Sequence, residues 1–124
     1  MKRDSDALKL RTKDFALRVV RLYRSLPRTE EAGILGTQLL RSSTSIGANY
    51  RAACRGRSRA EFVAKLGIVL EEADETVFWL ELFQEGNIFP AEKLHDLVQE
   101  ANELVSIFVS SVRTARGLPL QSDL

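Results

Sequence analysis

Residues 58–86 read SRAEFVAKLGIVLEEADETVFWLELFQEG, and this stretch decides the fold. Ser58 and Glu61 stand at capping-box spacing, in which each side chain satisfies an amide left open at a helix start. Phe62, Leu66, Val69, Leu70, Ala73, Val77 and Leu80 then recur every three or four residues and so share one helix face. Gly86 supplies a left-handed stop. Nothing in the chain alternates with a period of two, so no strand is predicted.

The same period runs outward from this segment. A first helix is predicted from about Asp6 to Leu26, with Leu8, Phe15, Val19, Leu22, Tyr23 and Leu26 on one face and Pro27 breaking the hydrogen-bond ladder. A second opens at Thr29, a good N-cap. Glu30 and Glu31 follow where the helix dipole favours negative charge, and the segment ends near Gly56. The fourth starts around Pro90, at a first helical position. It carries Leu94, Leu97, Val98, Ala101, Leu104, Val105, Phe108, Val109 and Val112 on one stripe, and Gly117 and Pro119 end it. Long helices joined by short connections predict an all-α, antiparallel, up-down-up-down four-helix bundle roughly 40 Å long. Residues 1–117 form this single domain and 118–124 a flexible tail.

The charges are sorted by position. Residues 1–59 carry 14 Lys and Arg against 5 Asp and Glu; residues 60–112 carry 2 against 11. The formal net charge of +1 conceals this division. Such a field serves either to dock the protein's own halves, within or between subunits, or to attract a polyanion. Arg41, Arg51 and Arg55 lie on the polar side of the second helix, with Arg57 and Arg59 in the turn after it. These five are the expected nucleic-acid-binding residues, because the guanidinium fork suits phosphate. The alternative is that they pair with the acids of the third and fourth helices. Lys9, Lys13, Arg21 and Arg24 occupy the outer side of the first helix, with Arg11 and Arg18 on its rim.

Two places depart from a simple monomeric bundle. Ser42 and Asn49 share the stripe of Leu35, Leu39, Ile46 and Ala53, so they need partners. Either they are satisfied locally in a tight seam, or this helix is contacted on two sides. Between Val77 and Phe83, six of seven residues are apolar. Phe78, Trp79 and Leu82 fall off the core stripe, which marks them as an expected oligomer interface.

Catalysis is not expected. There is no glycine-rich phosphate loop, and no Ser/His/Asp or Cys/His constellation can be assembled. Di-iron bundles take Glu-x-x-His from two helices, and a single histidine, His95, cannot supply two. No metal site and no cofactor are expected, and the carboxylates Glu71, Glu72, Asp74 and Glu75 read as a solvated or interfacial face. Cys54, the one cysteine, reads as a bystander in a reducing compartment. The first residues lack the apolar core of a signal peptide, and no apolar run reaches the roughly 20 residues that span a bilayer. A cytoplasmic protein without membrane contact is expected.

The run Gln38-Leu39-Leu40-Arg41-Ser42-Ser43-Thr44-Ser45-Ile46-Gly47-Ala48-Asn49-Tyr50, then Ser58-Arg59-Ala60-Glu61-Phe62, then Glu71, Glu72, Glu75 and Trp79-Leu80, resembles a known family. It is that of the bacterial four-helix-bundle proteins first noticed as open reading frames in intervening sequences of 23S rRNA genes. The family is similar to the accessory variability determinant proteins of diversity-generating retroelements. The resemblance implies a homopentamer of antiparallel bundles arranged as a ring. Through the retroelement relatives it implies RNA or DNA binding and contact with a reverse transcriptase or another protein. It carries over no catalytic residue. The expected function is thus a non-catalytic homo-oligomeric accessory protein with sequence-tolerant nucleic-acid binding. The rival is a protein-interaction scaffold whose charge segregation serves self-assembly or a protein partner.

Overall fold

The described residues form four helices: α1 (Lys2–Arg24), α2 (Glu30–Cys54), α3 (Arg59–Glu85) and α4 (Ala91–Ala115). The computed structural model describes residues 2–117; the tail expected over 118–124 lies outside them. No strand occurs among the described residues. The helices form a four-helix bundle in which each packs chiefly on its neighbour in sequence: α1 on α2, α2 on α3, α3 on α4. α1 and α4 meet at only a few positions. Among the described residues no helix is long and apolar enough to cross a membrane.

The ends follow from local chemistry. The hydroxyl of Thr29 accepts the Ala32 amide at 3.2 Å, and that of Ser58 accepts the Glu61 amide at 3.1 Å. The Glu61 carboxylate reaches the amide of Arg57 rather than that of Ser58, so the return half of the box closes one residue early. Pro90 is the residue before α4 rather than its first, and no side chain caps that start. α1 begins at Lys2, earlier than expected, and ends at Arg24, while α2 ends at Cys54.

Gly86 is not the left-handed stop. It keeps φ at −86° and still donates its amide to Leu82 O. Asn87, at φ 54°, makes the reversal, and Ile88 then donates to Phe83 O at 3.0 Å. Asparagine tolerates this backbone because its short polar side chain can bond locally. Gly117, at φ 70°, takes the same conformation after α4.

Phe15, Val19, Leu39, Ile46, Leu66, Leu80, Phe83, Leu94, Leu104 and Phe108 are fully buried and fill the centre. Tyr23, expected on the core face, is exposed, and Leu35, Leu70 and Val77 are only half-buried. Thr12, Ser42, Ser43 and Thr76 are buried with no exposure at all. Each returns its hydroxyl to a carbonyl of its own helix, as Thr12 does to Leu8 O at 2.9 Å. Thr76 also meets Ser42 at 2.8 Å, tying α3 to α2. Asn49 donates to Ser45 O. The polar residues on the α2 stripe therefore find partners locally, and no buried side-chain N or O among the described residues lacks one. α1 and α2 approach closely at Gly47, where a Cβ would lie 3.4 Å from Thr12 Oγ1 and 3.5 Å from its carbonyl.

Candidate functional site

The expected arginines separate into three environments. Arg41 reaches across to α3, where its guanidinium bonds Glu72 at 3.3 Å and also Glu75. The indole of Trp79 donates to the same Glu75 at 3.1 Å. Arg41 thus faces acids one helix away, the pairing weighed as the alternative, and its charge is neutralised on the spot. Arg59 folds back and donates to the carbonyl of Ala115 at 2.8 Å. With Asp4, Tyr50, Cys54, Phe62 and Ser111 it borders a cavity of about 580 Å³ at that end of the bundle. Burial, then a hydrogen bond with Cys54, holds the Tyr50 phenol well above its ordinary range.

Arg51, Arg55 and Arg57 are exposed, and no described acidic side chain pairs with any of them. Position along the chain separates them: Arg51 lies ten residues beyond Arg41 on α2, and Arg55 and Arg57 stand between the end of α2 and the start of α3.

The first helix adds what the α2 reading left out. A groove of about 200 Å³ between α1 and α2 is lined by Lys9, Lys13, Ala16, Thr44, Gly47, Ala48 and Arg51. Lys9 has a loose partner in Asp6 at 3.7 Å; Lys13 has none among the described residues. The i, i+4 spacing of Lys9 and Lys13 was a signal that both share a face, but sequence alone does not say which face of α2 they oppose. Arg11 points elsewhere. It bonds Glu100 through two nitrogens at 2.7 and 2.9 Å and Glu103 at 2.7 Å, joining α1 to α4. The Glu100 hydrogen bond is the main reason its guanidinium is held charged even more firmly than usual.

Of the expected interface residues, Phe78 is 51% exposed. Trp79 and Leu82 are half-buried, and Trp79 packs against the core. The two rings meet edge to face, 5.1 Å between centroids. Ile34 and Ile68 are also exposed, on α2 and α3. Glu92 and His95 have Glu-x-x-His spacing at the start of α4, where both are exposed, and no metal-holding cluster of His, Cys, Asp or Glu occurs among the described residues.

The sequence profile of the 23S rRNA-intervening sequence proteins matches residues 7–110. The solved structure of a protein of unknown function from the S23 ribosomal protein family of Bacteroides thetaiotaomicron is similar, at 36% identity and a TM-score of 0.81. The match covers 88% of this chain and 97% of that one. No curated protein matches the chain.

Proposed function

We propose, for a chain that belongs to the 23S rRNA-intervening sequence protein family, a non-catalytic role as a homo-oligomeric accessory protein that binds nucleic acid without sequence preference. The observation that carries this reading is that Lys13, Arg51, Arg55 and Arg57 are exposed with no side-chain ion pair among the described residues, while Arg41 and Arg11 are neutralised by theirs. Neighbouring uncompensated cations on a nearly neutral protein favour a polyanion. The bundle is read as antiparallel, up-down-up-down, and assembled as a ring of five in the cytoplasm. The resemblance to retroelement accessory proteins makes a reverse transcriptase the protein partner to try first.

A salt series tests the binding. Affinity for RNA and DNA of unrelated sequence is expected to fall linearly with salt on logarithmic axes, by about 0.9 per phosphate for duplex and about 0.7 for single strands. No binding of either nucleic acid at low salt would remove this function. The scaffold reading would then replace it; the Arg41–Glu72–Glu75 cluster favours that reading, since it shows opposite charges of the two halves already meeting each other.

Assembly has its own test. Phe78 is the exposed anchor, whereas Trp79 serves its own core as well. Phe78→Ala is expected to weaken self-association by about 2 kcal/mol, as loss of a buried interface anchor does, with helix content unchanged. Trp79→Ala should lower both assembly and folding. Light scattering that finds a 13.9 kDa monomer of the unaltered protein at micromolar concentration would overturn the oligomer.

A further inference from the structure

We infer that the groove between α1 and α2 seats a backbone phosphate of a nucleic acid, and that the strand crosses the protein there rather than over the α2/α3 face. This rests on the nucleic-acid reading above and gives it a place. The groove has Lys9 and Lys13 on its α1 side, one helical turn apart, and Arg51 on its α2 side. No carboxylate lines it. Three cations of two helices are thus held around one small volume, with Asp6, 3.7 Å from Lys9, the one counter-charge paired to any of them among the described residues, an arrangement that favours an anion between them.

The floor says which kind of anion. Ala16, Gly47 and Ala48 present methyl groups and a bare Cα. Thr44 commits its hydroxyl proton to Leu40 O, at 2.8 Å. Nothing there resembles the amide and carboxylate groups that read base edges. Nor is there the aromatic anchor on which protein partners usually settle. What remains is charge beside a small apolar floor, which suits phosphate and is indifferent to sequence.

The charge also continues in a line. Thr44, Ala48, Arg51 and Arg55 share one face of α2, and Arg55 stands one turn beyond Arg51, about 6 Å along the axis. Arg57 extends the track into the turn. Arg41 stands on the same face, one turn before Thr44, but is already bound to Glu72 and Glu75. A row of cations beyond the groove fits a polymer of phosphates rather than a single free one.

The test is fluorescence anisotropy of the full chain with a labelled 20-nucleotide single-stranded RNA, at several salt concentrations, with inorganic phosphate as a competitor. Lys13→Gln with Arg51→Gln is compared with Arg24→Gln with Arg28→Gln, a pair of exposed arginines elsewhere whose loss changes the net charge equally. The groove pair is expected to weaken binding about tenfold for all sequences alike and to flatten the salt slope by about 1.4. The control pair should weaken it less than threefold, about the effect of the general field alone. Equal losses from both pairs would show a diffuse field and overturn the groove, as would undiminished binding by the groove pair. Displacement of the RNA by millimolar inorganic phosphate as readily as by unlabelled RNA would also overturn it, in favour of a free-anion site. If the unaltered protein binds no RNA at low salt, the binding reading itself fails, and that outcome is distinct from the others.

Discussion

Replacing Phe108 with alanine is expected to remove about 3–5 kcal/mol of stability, the cost of emptying a fully buried aromatic site. Phe108 has no exposed surface. Its ring stands 5.5 Å from that of Tyr50, tilted by 58°, so it joins α4 to α2 across the middle of the bundle. Tyr50 already borders the open end of the molecule, beside Cys54, Phe62 and Ser111. Loss of the neighbouring ring would leave a void that only main-chain movement could close. A domain commonly holds about 5–15 kcal/mol in total, so the variant should lie near the edge of folding. Urea unfolding followed by circular dichroism at fixed protein concentration is the measurement. The midpoint should drop while the denaturant slope holds. A loss below about 1 kcal/mol would show that the ring is not the anchor its burial implies.

Two substitutions at Gly47 should have opposite signs. The first added carbon, in Gly47→Ala, would sit 3.4 Å from Thr12 Oγ1, an ordinary contact. It also relieves the helix of a glycine, worth up to about 1 kcal/mol. Gly47→Ala is therefore expected to be neutral or stabilising by up to about that amount. Gly47→Leu sends three further carbons toward the backbone of α1, and overpacking of that kind costs about 1–3 kcal/mol. Thermal unfolding of the two variants side by side checks the contrast. A stable Gly47→Leu protein would show that α1 can shift away from α2 at little cost.

The four helices and their caps were legible because they depend on neighbours in sequence. Thr29 and Ser58 act within three residues of themselves, and the 3.6-residue period places Leu66, Val69 and Leu80 inward whatever surrounds them. Helix stops were less legible. Gly86 looked like the reversal, but one more amide could still be satisfied in the helix, and Asn87 took the strained backbone instead. The buried polar residues were recognised as needing partners, yet the Ser42–Thr76 bond depends on how α2 and α3 align, which no local pattern reports. The site was half legible for the same reason. The arginines were found as a group, but only the packing separates Arg41, held by Glu72 and Glu75, and Arg59, folded onto Ala115, from Arg51. Lys9 and Lys13 join Arg51 only because Gly47 lets α1 come close.

The weak meeting of α1 with α4 has a kinetic meaning. Every extensive interface joins helices that follow one another along the chain, so each helix finds its main partner as soon as the next segment exists. Such a chain has few loops to close at high entropic cost and should collapse quickly, in the order of its synthesis. Closure comes last. It brings Arg11 to Glu100, 89 positions away, and to Glu103 a turn beyond. That fastening forms only once α4 has been made, so the ring of helices stays open on one side until the last of the four is in place.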